Sequence, residues 1–504
     1  MTVEEVLQGV ALEGELSAAL RRAVVTGLEY DSRRVERGFL FFAFPGARVD
    51  GREFARQAIE KGAVAAVSEL PAPEGFQGAW IEVEHGRQAL ALAARNFYGN
   101  PASGGPDARL KLTGVTGTNG KTTTTFLIDS ILRAAGLTTA LVGTIEYRVA
   151  GQVRPAANTT PESLDLYRLF EELERAGGTH VTMEVSSHAL ALGRAYGITF
   201  HTAVFTNLTR DHLDFHHTME EYFAAKRLLF APEGAPAPEW AVINSDDSYG
   251  RGLPAAAHTI FYGFEPGADL RGSSLAMDFS GLRFTVEYAG ERRQISSPLV
   301  GRFNAYNILA ACGTALSYGL DWGVISSAIA KAPRVPGRFE TVQQGQPFLV
   351  VVDYAHTDDA LRNVISVARE LHPQRVITLF GCGGDRDRTK RPLMGQAAAE
   401  LSDYVVLTSD NPRSEDPLAI MNDALVGLRR FDTPHLMEPD RTKAIGAALQ
   451  QARSGDIVIL AGKGHETYQV LKDRVIHFDD REVARDVLRE LGHEGRGADE
   501  GDGV

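Results

Sequence analysis

The chain has 504 residues, of which 44% are hydrophobic and 23% charged, and its formal net charge is −13. That length allows about three domains with sizeable cores, and the acidic balance disfavours a chain-wide nucleic-acid surface. Two cysteines, Cys312 and Cys382, stand far apart and outside any CxxC spacing, which gives neither a disulfide framework nor a zinc site.

The start, Met1-Thr2-Val3-Glu4-Glu5, lacks the basic-then-apolar order of a signal peptide, and no apolar run approaches the roughly 18–20 residues of a membrane span. A cytoplasmic location is expected. Breaker-rich stretches mark three blocks. Gly99-Asn100-Pro101-Ala102-Ser103-Gly104-Gly105-Pro106-Asp107 closes the first, and Lys331-Ala332-Pro333-Arg334-Val335-Pro336-Gly337 joins the second to the third. The boundaries are drawn at 1–107, 108–335 and 336–491. Residues 492–504, rich in Gly and charge, read as a disordered tail.

In the second and third blocks, short β-branched runs alternate with helical patterns. Val181 to Val185, Phe348 to Val352, Arg375 to Phe380, Tyr404 to Leu407 and Asp456 to Leu460 are continuous apolar runs. Such strands belong in α/β folds whose mainly parallel sheets carry helices on both faces, with ligands at the carboxyl ends of the strands.

The first chemical motif follows the strand-like Leu110-Lys111-Leu112-Thr113. It reads Gly114-Val115-Thr116-Gly117-Thr118-Asn119-Gly120-Lys121-Thr122 and opens the helical stretch 123–135. Glycines let backbone N–H groups close on phosphate oxygens, Lys121 can reach the β- and γ-phosphates, and Thr122 can ligate Mg²⁺. Val115 stands where the general GxxxxGK[ST] pattern wants glycine. A Gly-rich strand-to-helix turn without nucleotide is the plainer alternative.

Glu184 then ends the run Met183-Glu184-Val185-Ser186-Ser187-His188, and Asp211-His212-Leu213-Asp214 follows Ala203-Val204-Phe205-Thr206-Asn207. A glutamate and a histidine at strand ends can hold Mg²⁺ beside a nucleotide, although each alone is more often a satisfied polar group. Lys226 lies on the helical stretch 220–230. In the third block, Gly383-Gly384-Asp385-Arg386, Asp410-Asn411-Pro412-Arg413 and Gly462-Lys463-Gly464-His465-Glu466 each follow a strand and can converge on one crevice. Arginines fork onto carboxylates and a glutamate takes an ammonium, so an amino acid is the natural ligand.

Thr116-Gly117-Thr118-Asn119-Gly120-Lys121-Thr122-Thr123, Pro336-Gly337-Arg338-Phe339-Glu340 and Asp353-Tyr354-Ala355-His356 together resemble the Mur ligase family, over nearly the whole chain. The resemblance implies an N-terminal UDP-binding α/β domain, a central ATP-binding domain and a C-terminal Rossmann-like domain. Gly117, Thr118, Asn119, Gly120, Lys121, Thr122 and Thr123 would bind ATP, with Asn304 on the adenine side, Arg338 at phosphate and Asp353 at the ribose.

By the same resemblance Thr122, Glu184, His212 and a carbamylated Lys226 would support Mg²⁺, and Lys121, His212, Lys226 and Arg338 would serve catalysis. Ser32 and the stretch Ala47, Arg48, Val49 would face the uridine diphosphate. Asn158, Thr159, Thr160, Ser186 and Arg194 would hold a muramoyl dipeptide, with Leu192 standing where some relatives carry glutamine.

Asp410-Asn411-Pro412-Arg413 resembles the signature of the members that use meso-diaminopimelate, and it puts Arg386, Asp410, Asn411, Pro412, Arg413, Gly462 and Glu466 in the amino-acid pocket. The implied activity is ATP-dependent addition of meso-diaminopimelate to UDP-N-acetylmuramoyl-L-alanyl-D-glutamate by a monomer. Addition of lysine or ornithine, a folylpolyglutamate synthetase-like ligase and a non-ligating ATP-dependent switch are the alternatives. The roughly hundred residues before the phosphate loop speak against the folylpolyglutamate type.

Overall fold

The computed structural model describes residues 1–46, 49–99 and 105–493. Two expectations therefore lie partly outside it. These are the diphosphate contacts of Ala47 and Arg48, and the tail beyond His493. The chain divides into two compact units. One comprises Met1–Ser273, Thr285–Gln294 and Tyr306–Ile329, and the other comprises Ser274–Phe284, Ile295–Ala305 and the chain from Ala330 onward.

The first unit begins with a four-stranded parallel sheet, β1 (Gly27–Glu29), β2 (Phe39–Phe42), β3 (Ala65–Ser68) and β4 (Trp80–Glu82), in that order. The two-residue side-chain period of a strand decides its packing. Leu40 and Phe42 join Val67 and Ile81 in one core, while Phe41 and Ala43 turn to the opposite face against Ala55 and Ala58.

The large sheet contains β5 (Lys111–Thr116), β6 (Thr139–Val142), β7 (Glu146–Val149), β8 (Gln152–Pro155), β9 (His180–Glu184), β10 (Thr202–Phe205), β11 (Trp240–Asn244) and β12 (His258–Gly263). Their order is β12-β11-β10-β5-β9-β6-β7-β8, and β13 (Leu270–Asp278), β14 (Gly281–Tyr288) and β15 (Glu291–Ser297) continue it beyond β12. Pairing is parallel from β12 to β6 and antiparallel from β6 to β8. β5 therefore lies centrally between β9 and β10, and the chain leaves it toward opposite edges. This is the place where α/β sheets open a crevice at their carboxyl ends. One buried apolar cluster runs from Val3 to Leu253 and ties the two sheets of this unit together.

The second unit is built on β16 (Glu340–Val342), β17 (Leu349–Asp353), β18 (Val376–Cys382), β19 (Tyr404–Ser409), β20 (His435–Met437) and β21 (Ile457–Ala461), in the order β16-β17-β21-β18-β19-β20. Only β16 pairs antiparallel. A hairpin, β22 (Tyr468–Val470) and β23 (Val475–His477), follows. The continuous apolar strands are covered on both faces, as their composition predicts. Leu349 and Val351 of β17 face one cluster, and Val350 and Val352 face the other. No helix among the described residues is long and apolar enough to cross a membrane.

Beneath the carboxyl ends of β19 and β21, Arg441 and Asp480 form a fully buried pair through bonds of 2.7 and 2.6 Å, and Arg441 also donates to the Ala461 carbonyl at 3.0 Å. Removing one partner of such a pair strands a buried charge, at a cost of about 3–5 kcal/mol. Arg441→Met should therefore lower the urea midpoint of this unit sharply, while Arg441→Met with Asp480→Leu should recover most of the loss. Equal destabilisation by the single and double variants would contradict the pairing account.

Candidate active site

β5 delivers the chain into the glycine loop, and the Lys121–Ala134 helix begins directly after Gly120. Two glycines are required by space. A Cβ on Gly117 would lie 1.9 Å from Thr206 Oγ1, and one on Gly120, whose φ is +86°, would lie 2.3 Å from Asn307 Oδ1. The segment after β10 pins the loop. The Thr118 N–H donates to the Asn207 carbonyl at 2.8 Å, the Asn119 N–H to Asn207 Oδ1 at 2.9 Å, and Thr206 Oγ1 to the Asn119 carbonyl at 2.6 Å. No side chain caps the helix start, so its first-turn N–H groups suit an anion.

Two lysines meet at this loop. Lys121 Nζ donates to the carbonyls of Gly117 and Thr118, both at 2.9 Å, and Lys226 Nζ donates to the same Gly117 carbonyl at 2.8 Å. Lys226 comes from the Met219–Arg227 helix, is 1% exposed, and lies 4.5 Å from the centre of the Tyr222 ring. Burial holds its ammonium well below the ordinary lysine range, and the Lys121 charge pushes the same way. The Tyr222 hydroxyl in turn sits 3.1 Å from Thr118 Oγ1.

His212, in a left-handed conformation with φ +53°, packs edge-on to His188 at 4.8 Å, and His216 packs against both His188 and Tyr222. Burial lowers the pKa of all three imidazoles, that of His216 to about 4. They stay neutral beside the lysines.

Glu184 ends β9 and is 1% exposed. Its Oε1 accepts the Thr144 N–H at 2.8 Å and its Oε2 the Thr144 hydroxyl at 3.1 Å, with no cation among its partners. Among the described residues no three His, Cys, Asp or Glu side chains gather into a metal cage. The buried Glu184 carboxylate, without a countercharge among the described residues, offers oxygen donors of the kind Mg²⁺ uses, and Mg²⁺ keeps waters and phosphate oxygens rather than an all-protein cage.

The predicted dipeptide residues gather beside Glu184. Thr160 Oγ1 donates to the Glu184 carbonyl at 2.9 Å and accepts the Ser186 N–H at 3.0 Å, while Thr159 Oγ1 lies 3.0 Å from Thr144 Oγ1. Asn158 is clasped by the Tyr147 hydroxyl, which donates to its carbonyl at 2.6 Å. Arg194 donates to the Thr160 carbonyl at 3.1 Å and to Glu162 at 3.0 Å. In the N-terminal sheet region, buried Ser32 donates to Gln57 Oε1 at 2.8 Å and Val49 is exposed.

In the second unit, both Asp353 oxygens accept backbone N–H groups, from Phe339 at 2.7 Å and Ala355 at 2.9 Å. Asp353 thus fixes the Gly337-Arg338-Phe339 turn and sets the Arg338 guanidinium 5.2 Å from the Tyr354 ring centre. Asn304 Nδ2 donates to the Val300 carbonyl at 2.8 Å.

The ends of neighbouring β21, β18 and β19 bring the three predicted amino-acid segments together. Asn411 Nδ2 donates to Glu466 Oε2 at 2.9 Å. Arg413, at φ +53°, donates to the carbonyls of Gly384 at 2.8 Å and Asn411 at 3.4 Å and forms no ion pair among the described residues. A Cβ on Gly384 would strike the Pro412 carbonyl at 1.9 Å, and one on Gly462 would meet Asp410 Oδ2 at 2.9 Å. Arg386 is exposed. Sequence reasoning passed over Thr144, Tyr222 and Lys463. Lys463 lay inside a quoted motif, but nothing in the pattern distinguished it from a solvated lysine.

Three models of one family match successive segments: "Mur ligase family, catalytic domain" over residues 24–98, "Mur ligase middle domain" over 115–315 and "Mur ligase, glutamate ligase domain" over 337–464. The UDP-N-acetylmuramoyl-L-alanyl-D-glutamate–2,6-diaminopimelate ligase of Solibacter usitatus is 64% identical over 98% of this chain and 99% of its own length. That of Geobacillus thermodenitrificans is 48% identical over 92% and 95%. A solved structure of a UDP-N-acetylmuramoyl-L-alanyl-D-glutamate–2,6-diaminopimelate ligase superposes with a TM-score of 0.71 at 33% identity, covering 98% of this chain and 99% of that one. The MurF ligase from Thermotoga maritima, solved in complex with ADP, shares the fold with a TM-score of 0.60 at 19% identity, covering 93% and 97%.

The crowding at Gly117 gives a direct test of the loop. Gly117→Ala must displace Thr206 or twist the loop, strain of about 1–3 kcal/mol, so ATP-analogue binding by calorimetry should weaken about tenfold to a hundredfold. Unchanged affinity would show that the loop does not close on the nucleotide.

Proposed function

The chain belongs to the Mur ligase family, and from that premise we propose that it is the ATP-dependent ligase joining meso-diaminopimelate to UDP-N-acetylmuramoyl-L-alanyl-D-glutamate in peptidoglycan precursor synthesis. The observation that carries the choice of amino acid is the crevice at the ends of β18, β19 and β21. There Arg413 sits on carbonyls without a carboxylate partner, and Glu466 stands on the other side of Asn411. The enzyme works in the cytoplasm as a monomer. Residues 1–107 take the UDP substrate, 108–335 the ATP and 336–491 the amino acid, a division supported by the three matched segments.

The D-glutamate side-chain carboxylate attacks the γ-phosphorus of ATP. The bond from that phosphorus to the β,γ-bridging oxygen breaks, giving ADP and an acyl phosphate. The amine nitrogen of the diamino acid then attacks the acyl carbon. The tetrahedral adduct expels inorganic phosphate as its C–O bond breaks and the nitrogen loses a proton. Gly117, Thr118, Asn119, Gly120, Thr122 and Thr123 cradle the phosphates, and Lys121 faces the charge that spreads over the transferred phosphoryl group. By the family resemblance, Arg338 would take phosphate, Asn304 the adenine and Asp353 the ribose.

Asn158, Thr159, Thr160, Ser186 and Arg194 orient the dipeptide, and Ser32 with Ala47, Arg48 and Val49 takes the uridine diphosphate. Thr122, Glu184 and His212 would hold Mg²⁺, which neutralises phosphate charge when bound.

Burial presses the Lys226 amine toward its neutral form. A depressed pKa raises the share of neutral amine, whose lone pair adds to CO₂ and releases a proton to give a carbamate. The cation becomes an anion able to support the metal. Enzyme stripped of bicarbonate should regain activity when it is added back, with a ¹³C-carbamate NMR signal absent from Lys226→Ala, which should lose most of its turnover. Full activity in CO₂-free buffer without that signal would rule the carbamate out.

Diaminopimelate differs from lysine by a second carboxylate. A charge-assisted bond contributes about 1.5–3 kcal/mol, and an unpaired arginine in a desolvated pocket adds a penalty. Discrimination in kcat/KM against lysine or ornithine on the order of 10³ or greater is expected, and Arg413→Ala should erase most of it. Comparable values for diaminopimelate and lysine would overturn the substrate assignment.

A further inference from the structure

Lys463 follows β21, and its side chain is fully buried. Lysine is almost never buried unless paired. Its Nζ lies 3.1 Å from Glu466 Oε2, 3.3 Å from Asn411 Oδ1 and 3.7 Å from Asp410 Oδ1, with the Tyr468 ring centre 5.7 Å away. All three polar partners belong to the amino-acid crevice.

The contacts set an orientation. Asn411 Oδ1 accepts the Val470 N–H at 2.9 Å as well as Lys463, so Nδ2 is the end that faces Glu466. Asp410 Oδ1 is buried and accepts no hydrogen bond. The other buried cation close by, Arg441, is already matched by Asp480. Two carboxylates, Asp410 and Glu466, therefore share one ammonium. Glu466 is the half-buried member of the group, so its carboxylate faces the crevice mouth.

We infer that Lys463 is a positioning residue of the amino-acid subsite. Its buried ammonium holds Glu466 and the Asn411 amide in the arrangement that receives an ammonium group of the substrate. This rests on the reading of the crevice as a diamino-acid site. Without Lys463 the two carboxylates face each other unscreened. Asp410 then takes a proton or Glu466 swings away, and Asn411 loses the donor that fixes its flip.

Lys463→Met keeps an unbranched apolar side chain, one atom shorter, and removes its charge. With full-length enzyme, KM for diaminopimelate should rise about tenfold to a hundredfold, while KM for ATP and for the UDP-dipeptide and the saturated kcat stay within about twofold. Ethylammonium added to Lys463→Ala should restore part of the diaminopimelate KM and leave the other two unmoved. Melting curves on each variant separate this from a general core role. Loss of the cooperative transition, or a parallel rise in all three KM values, would make Lys463 a stability residue and overturn the inference. So would an unchanged diaminopimelate KM. Wild-type turnover independent of any diamino acid would instead remove the functional reading itself.

Discussion

The amino groups of Lys121 and Lys226 converge on one carbonyl oxygen, that of Gly117, and no carboxylate among the described residues pairs with Lys226. The surrounding structure is arranged around this convergence of two basic groups. The loop is built from glycines because only they leave room for Thr206 and Asn307 against the backbone. The wall beside Lys226 is the Tyr222 ring, whose face tolerates a cation. The three imidazoles behind it are held neutral by burial and so add no further charge. A site arranged in this way suits anions.

The second unit carries a crevice of two signs. Asn411 stands between them, its side-chain amide on Glu466 and its main-chain carbonyl near the Arg413 guanidinium. An amino acid with an ammonium at one point and a carboxylate at another matches that polarity, whereas a neutral ligand would leave both ends unpaired. The buried Arg441–Asp480 pair beneath the strand ends bonds the Ala461 carbonyl at the end of β21, and so supports the crevice from below.

Much of this was legible in the sequence, for physical reasons. Continuous β-branched runs admit few structures other than doubly covered parallel strands, and β17, β18, β19 and β21 formed within a residue or two of the predicted runs. The phosphate loop was legible because Gly117 and Gly120 answer a local steric demand. Lys226 and Lys463 were not legible from pattern alone. Whether a lysine is solvated or buried depends on what its helix or turn packs against, and spacing does not encode that. Asp353 shows the same limit. Its predicted place at a strand end is correct, but its two oxygens also build the Arg338 turn, a role visible only once Phe339 and Ala355 are in place.

The account centres on a phosphoryl group passing from the loop at Lys121 to a carboxylate before the amide forms. Its most direct test is oxygen tracing. The UDP-dipeptide, with both oxygens of the D-glutamate side-chain carboxylate labelled with ¹⁸O, is turned over with ATP and diaminopimelate, and the released phosphate is analysed by mass spectrometry. The account predicts one labelled oxygen in each phosphate, because the carboxylate oxygen that attacks phosphorus leaves with it. Phosphate carrying no label from the carboxylate, with amide still formed, would contradict it.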